Sequence, residues 1–260
     1  MHVQVNGKSI YYELNGPEDA PLITFSHALA ANCNLWDVQA RTFSRDYRVL
    51  CFDTRGHGRS SVPSGEYSMH ELALDVLGLW DALDIDQSSF VGLSMGGMIG
   101  QVLATAFPER LDKLILCDTT CRIAPESRPT WQERINLARK QGMSALSQET
   151  LNRWLSMDFQ AENPEETTRI KNMIEKTPVQ GFAGCCQAIS EFDVSGELFQ
   201  VKAPTLVLVG ENDTGTPVIA AEEIQANIPG AELEVLPKAQ HLTNIEVSGE
   251  FNRRLLDFLQ

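Results

Sequence analysis

FVGLSMGGMIG, residues Phe90–Gly100, sets a serine between glycines with apolar residues on either side. The run SSFVG before it reads as a buried strand. After it, Met98, Ile99, Val102, Leu103 and Ala106 recur at the spacing of one helical face, which ends before Pro108. A Gly-x-Ser-x-Gly pattern between a strand and a helix is the setting a nucleophile elbow requires. So tight a turn brings strand and helix together, so Gly92 and Gly96 must be small, and Ser94 projects at the helix N-terminus. Gly and Ser are common residues, so the pattern carries weight only through this context. The competing reading is an N-cap serine on an ordinary strand-to-helix loop.

Working outward, VQVN and IYYELNG form a hairpin around Asn6-Gly7. PLITFSH, YRVLCFD, SSFVGLS, LDKLILCD, APTLVLVG and AELEVLP follow as six Val/Ile/Leu-rich runs of the kind buried on both faces. Helical stripes separate most of them: Leu72/Val76/Leu79/Leu83, the stripe from Met98, Ile224/Ile228, and Phe251/Leu255/Phe258. The expected fold class is α/β, with a mostly parallel eight-stranded sheet and helices on both faces. Between Thr119 and Leu198 no strand is evident, only helical patterns such as Trp131/Ile135/Ala138 and Leu151/Trp154/Leu155. Residues 119–198 are therefore expected as a helical cap inserted into a core of 1–118 and 199–260. The cap should lie over the carboxyl edge of the sheet, where ligands of open α/β sheets bind.

The chain has 260 residues, 43% hydrophobic, enough for one large core. A net charge of −14 argues against nucleic acid or an anionic membrane as the main partner. The expected partner is a small molecule; the oligomeric state is open. The N-terminal residues alternate like a strand and lack a signal-peptide h-region, which gives a cytoplasmic expectation. Cys33, Cys51, Cys117, Cys121, Cys185 and Cys186 show no metal spacing and read as reduced, buried thiols.

A serine hydroxyl needs a base within hydrogen-bond reach and an acid to orient that base. From Glu71 to Gln260 the one histidine is His241, between the last strand and the last helix. Asp213, just past TLVLVG, is the first choice of acid, and Asp118, ending LILCD, the second. Backbone donors for an oxyanion would come from Met95 and from the loop SHALAAN, with Leu29 preferred over Ala28. His27 in that loop reads as a structural donor. DTRGHGRSS (Asp53–Ser61) reads as a hydrogen-bonded turn, because no Gly-Lys-Ser/Thr follows to make a phosphate loop.

With these residues assembled, the chain resembles the α/β-hydrolase superfamily and, within it, the 3-oxoadipate enol-lactonases of aromatic catabolism. DTRGHGRSSVPSGEYS, VGLSMGGMIGQ, LILCDTTCRI, GMSALSQETLNRWL and AQHLTNIE carry the resemblance almost end to end. It departs at Ser26–Ala30, where SHALA replaces an Asn-Ser-Leu-Gly-like loop. The resemblance implies an α/β-hydrolase fold, a Ser94, Asp213, His241 triad, an oxyanion hole of Leu29 and Met95, and no metal or organic cofactor. It also implies a substrate carboxylate, for which Arg134 beside Trp131 is the first cation and Arg122 the second, with Trp154 a further substrate contact. The alternatives are a broad carboxylesterase or lactonase, a cofactor-free perhydrolase, or a non-catalytic binding protein on the same fold. Haloalkane and epoxide chemistry are disfavoured, because relatives that perform them resemble the fold but carry a carboxylate at the elbow.

Overall fold

A computed structural model describes residues 1–260. The strands are β1 (His2–Val5), β2 (Lys8–Asn15), β3 (Leu22–Ser26), β4 (Arg48–Phe52), β5 (Ser88–Leu93), β6 (Leu111–Cys117), β7 (Thr205–Gly210) and β8 (Glu232–Leu236). They form one eight-stranded sheet in the order β1-β2-β4-β3-β5-β6-β7-β8. β1 pairs antiparallel with β2 and β2 with β4, and every other pairing is parallel. The β1–β2 hairpin turns where expected, since Asn6 and Gly7 both take positive φ (50° and 75°), as a two-residue type I′ turn demands.

The helices are α1 (Asp37–Phe43), α2 (Met69–Ala82), α3 (Met95–Ala106), α4 (Arg128–Gln141), α5 (Ser144–Trp154), α6 (Met157–Glu162), α7 (Pro164–Lys176), α8 (Val179–Ser190), α9 (Val218–Asn227), α10 (Thr243–Glu246) and α11 (Ser248–Leu259). Strand alternation assigns them to the two faces of the sheet. Thr24 is in register with Phe90, and on that face Trp80 of α2 donates Nε1–H to Thr24 Oγ1 at 3.0 Å. The next residue, Phe25, points the other way and meets Trp36 and Phe43, with Phe251 of α11 beyond Trp36. Ser68 starts α2 with a reciprocal capping box to Glu71.

The expected order of strands holds, with one correction. β8 is not buried on both faces, because it ends the sheet and leaves Glu232 and Glu234 toward solvent, with Arg254 paired to Glu234 at 2.9 Å. Ile228 also falls just beyond α9, in extended backbone. α4 to α8 all lie between β6 and β7. The two stems of this segment meet at an antiparallel bridge between Arg122 and Asp193, where Ile123 N–H donates to Phe192 and Val194 N–H to Cys121. All six cysteines are buried and unpaired. No helix is long and apolar enough to cross a membrane.

Candidate active site

The turn from β5 into α3 is where the backbone departs most usefully from its ordinary range. Ser94 has φ 56° and ψ −115°, a conformation that costs a residue with a Cβ of order 1–3 kcal/mol. Three hydrogen bonds hold it. Its N–H donates to the Cys117 carbonyl at 2.8 Å, and its own carbonyl accepts from Met98 N–H at 3.1 Å and from Thr119 Oγ1 at 2.7 Å. A Cβ at Gly92 would stand 2.2 Å from the Gly96 oxygen, and one at Gly96 2.2 Å from the Ser26 oxygen, so both positions require glycine. The Ser94 side chain makes no capping bond. The N-cap alternative therefore fails, and the hydroxyl is left to the cavity that Ser94 lines with Leu29, Met98, Ile123, Trp131, Arg134, Arg153, Trp154, Gly215, Thr216 and His241.

Asp213 and His241 arrive from the ends of β7 and β8. Gly210 permits this approach, because a Cβ there would stand 2.2 Å from the Gln240 oxygen. His241 Nδ1 lies 2.7 Å from Asp213 Oδ2. Asp213 is further held by Gly215 N–H (2.7 Å) and Thr216 N–H (3.1 Å) on Oδ1 and by Thr216 Oγ1 (2.7 Å) on Oδ2. Burial opposes its charge, yet His241 and these donors outweigh burial and keep its pKa below the usual carboxylate value. Burial likewise opposes the imidazolium, but the charge and hydrogen bond of Asp213, then the charge of Asp118, raise the His241 pKa above that of a free imidazole. An ionised Asp213 assigns the proton to Nδ1 and leaves Nε2 as the free basic nitrogen.

Asp118 is nearby but engaged elsewhere. Its Oδ1 accepts Gly210 N–H at 2.9 Å and its Oδ2 accepts Thr243 Oγ1 at 2.5 Å. Burial, then the charge of Asp213, push its pKa up to about 8. The geometry thus pairs His241 with Asp213, the first choice, rather than with Asp118.

Two backbone N–H groups remain without partners beside Ser94. Leu29 N–H has none within the chain, and Met95 N–H, as the first of α3, has no acceptor inside the helix. Trp154 is buried against the His241 ring, centroids 6.5 Å apart and nearly parallel, while also walling the cavity. Arg134 lies over Trp131 at 4.9 Å, and its buried Nε has no partner. Burial, then the neighbouring charge of Arg153, lower its pKa.

The expectation for Arg122 needs correcting. Its guanidinium binds Glu223 of α9 at 2.8 Å and does not reach the cavity. Arg153 takes the second position instead, with only a loose 3.8 Å pairing to Glu149. Sequence reading missed it although it adjoins Trp154, because helical spacing marks the buried face and not which long side chain bends into a cavity. Thr216 was missed too, although an Asp three residues before a Thr in ENDTGTP is a local turn signal. No group of three or more His, Cys, Asp or Glu side chains stands together as a metal site would need.

Comparison with known proteins agrees with this fold. A sequence profile described as the alpha/beta hydrolase fold matches residues 21–247. 3-oxoadipate enol-lactonase 2 of Acinetobacter baylyi is 37% identical over 94% of this chain and 90% of its own length. The crystal structure of the enol-lactonase from Burkholderia xenovorans LB400 superposes with a TM-score of 0.96 at 36% identity, covering 100% of this chain and 99% of that one. A thermophilic esterase from Thermogutta terrifontis, solved with malate bound, gives 0.94 at 27% identity over 100% and 98%.

Proposed function

This chain belongs to the alpha/beta hydrolase fold family, and from that premise we propose that it is a serine hydrolase that opens a carboxylated enol-lactone, converting 3-oxoadipate enol-lactone to 3-oxoadipate. Ser94 Oγ attacks the lactone carbonyl while His241 Nε2 takes its proton and Asp213 stabilises the imidazolium. The N–H groups of Leu29 and Met95 receive the oxyanion. Collapse breaks the ring C–O bond, and the imidazolium returns the proton to the departing enolate oxygen. Water, deprotonated by His241, then cleaves the Ser94 ester and releases the free acid, whose enol tautomerises to the ketone. In this reading residues 119–198 act as the cap, and 1–118 with 199–260 as the catalytic core.

The observation that carries the proposal is a single cavity lined by Ser94, Leu29 and His241 together with Arg134 and Arg153. Arg134 without a carboxylate partner and Arg153 with only a 3.8 Å one suit an anionic substrate, and a charge-assisted hydrogen bond to a carboxylate is worth roughly 1.5–3 kcal/mol. The apolar wall of Met98, Ile123, Trp131 and Trp154 supports a second reading, a broad esterase for neutral acyl groups. Steady-state kinetics on the carboxylated enol-lactone and on a neutral lactone of equal size separates the two. The proposal expects wild type to favour the carboxylated substrate in kcat/KM by at least about tenfold, and Arg134→Ala or Arg153→Ala to erase most of that preference. Equal turnover of the two substrates by wild type would remove the lactone assignment and leave the esterase.

A further inference from the structure

We propose that His27 and His57 are positioning residues for the oxyanion donor, a pair of neutral imidazoles that clamp the Leu29 peptide from both sides. This rests on the reading of Leu29 N–H as a donor to the reacting oxygen.

The tautomers follow from the backbone. Thr54 N–H can only donate, and it lies 3.0 Å from His27 Nε2, so that nitrogen is bare and the ring proton sits on Nδ1. There it donates to the Ala28 carbonyl at 2.8 Å. Ala30 N–H likewise donates to His57 Nε2 at 3.0 Å, which puts the second ring's proton on Nδ1, facing the Arg55 carbonyl at 3.3 Å. Each ring spends both nitrogens on backbone, in one tautomer and in the uncharged form, because a second proton would displace an N–H donor. Both rings are fully buried, 5.4 Å apart, with the Cys185 thiol 4.0 Å from His57 Nδ1.

The two contacts bracket one residue. The Ala28 carbonyl belongs to the same peptide unit as Leu29 N–H, so the bond from His27 both fixes the plane of that amide and polarises it toward stronger donation. Ala30 N–H belongs to the next peptide, so His57 fixes the other side. Just past the second contact, Ala30 takes φ 62°, a conformation that L side chains rarely adopt. The Ala28 carbonyl also accepts Ala31 N–H at 3.1 Å, so the rings brace a turn that the backbone itself closes, and a donor displaced from the oxyanion is a known route to large losses in kcat.

Substitutions can divide the two ring nitrogens. Asn places an amide near the position of Nδ1, and Gln places one near Nε2. His27→Gln keeps an acceptor for Thr54 and loses the donor to Ala28. It should lower kcat about 10- to 100-fold with KM within about twofold. Affinity for a boronic acid that mimics the tetrahedral state should fall by the same factor. His27→Asn should recover most of that loss. Folded Gln and Asn variants that fall equally, or a Gln variant with unchanged kcat, would overturn the clamp. Should neither variant fold, 15N NMR of the wild-type imidazoles at pH 7 decides. Two buried neutral rings protonated at Nδ1 are expected, and an Nε2–H tautomer on either ring refutes the assignment. A wild type that turns over no lactone or ester, and whose Ser94 resists a fluorophosphonate, would instead reject the parent reading.

Discussion

Ala30 carries a methyl group on backbone at φ 62°, where the side chain costs about 1–2 kcal/mol and glycine costs almost nothing. Part of that gain would be lost to the freer unfolded chain. Ala30→Gly should therefore raise Tm by about 1–4 °C in a calorimetric scan. At His241 the sign of the pKa shift sets the pH dependence. The base works only when neutral, and its pKa is raised, so kcat/KM should fall on acidification with a midpoint above the ordinary imidazole value of about 6.5. An acid-flat profile with Ser94 intact would contradict the role of His241. The same shift stabilises the fold fully below the unfolded pKa, and that contribution fades as pH rises through the folded one, so the working form is the less stable of the two. With its pKa pushed up to about 8, Asp118 is mostly protonated across that limb, so Asp118→Asn should leave both the acid limb and the plateau turnover in place. A limb that moves to lower pH would mean that Asp118 is charged over that range and helps to hold the imidazolium.

At the scale of elements, α8 rests on the 53–61 turn through Gly56 and Gly181, where a Cβ on Gly181 would stand 1.9 Å from the Gly56 oxygen. Backbone leaves no room to give, so Gly181→Ala should cost at least about 1–3 kcal/mol by overpacking, read from urea unfolding. Because His57 lies in the same turn, the variant should also lose kcat. The elbow was legible in the sequence because strand, tight turn and helix each leave a separate trace: an apolar run, paired glycines, a 3.6-residue stripe. The choice between Asp118 and Asp213 was not decided by pattern alone. β6 and β7 are paired neighbours ending at one edge, so only side-chain aim distinguishes the two carboxylates. Arg122 was misjudged for a related reason. Its position at a stem of the helical segment was readable, but its partner Glu223 lies about a hundred residues away on α9. Helical stripes were readable from spacing, whereas the place of Arg153 on the cavity wall depends on how the helices pack.

For the molecule as a whole, the Arg122–Glu223 pair ties the segment between β6 and β7 to the sheet's own helices, with the Arg122 side chain 55% exposed. An ion pair that open contributes little, so Glu223→Gln should leave Tm within about 2 °C. Any effect should be confined to the KM for bulky substrates. The order of the sheet has a different kind of consequence. Being last, β8 offers one flank of N–H and C=O groups to whatever meets it, beside a half-exposed Val235. The exposed Glu232 and the Glu234–Arg254 ion pair put charged side chains along that edge, a safeguard against strand-to-strand association. Exchanging both glutamates for threonine should leave the chain folded and active when dilute, while light scattering reports added association on concentration. The acidic residues that blurred β8 as a buried strand would then be what keeps the protein dispersed.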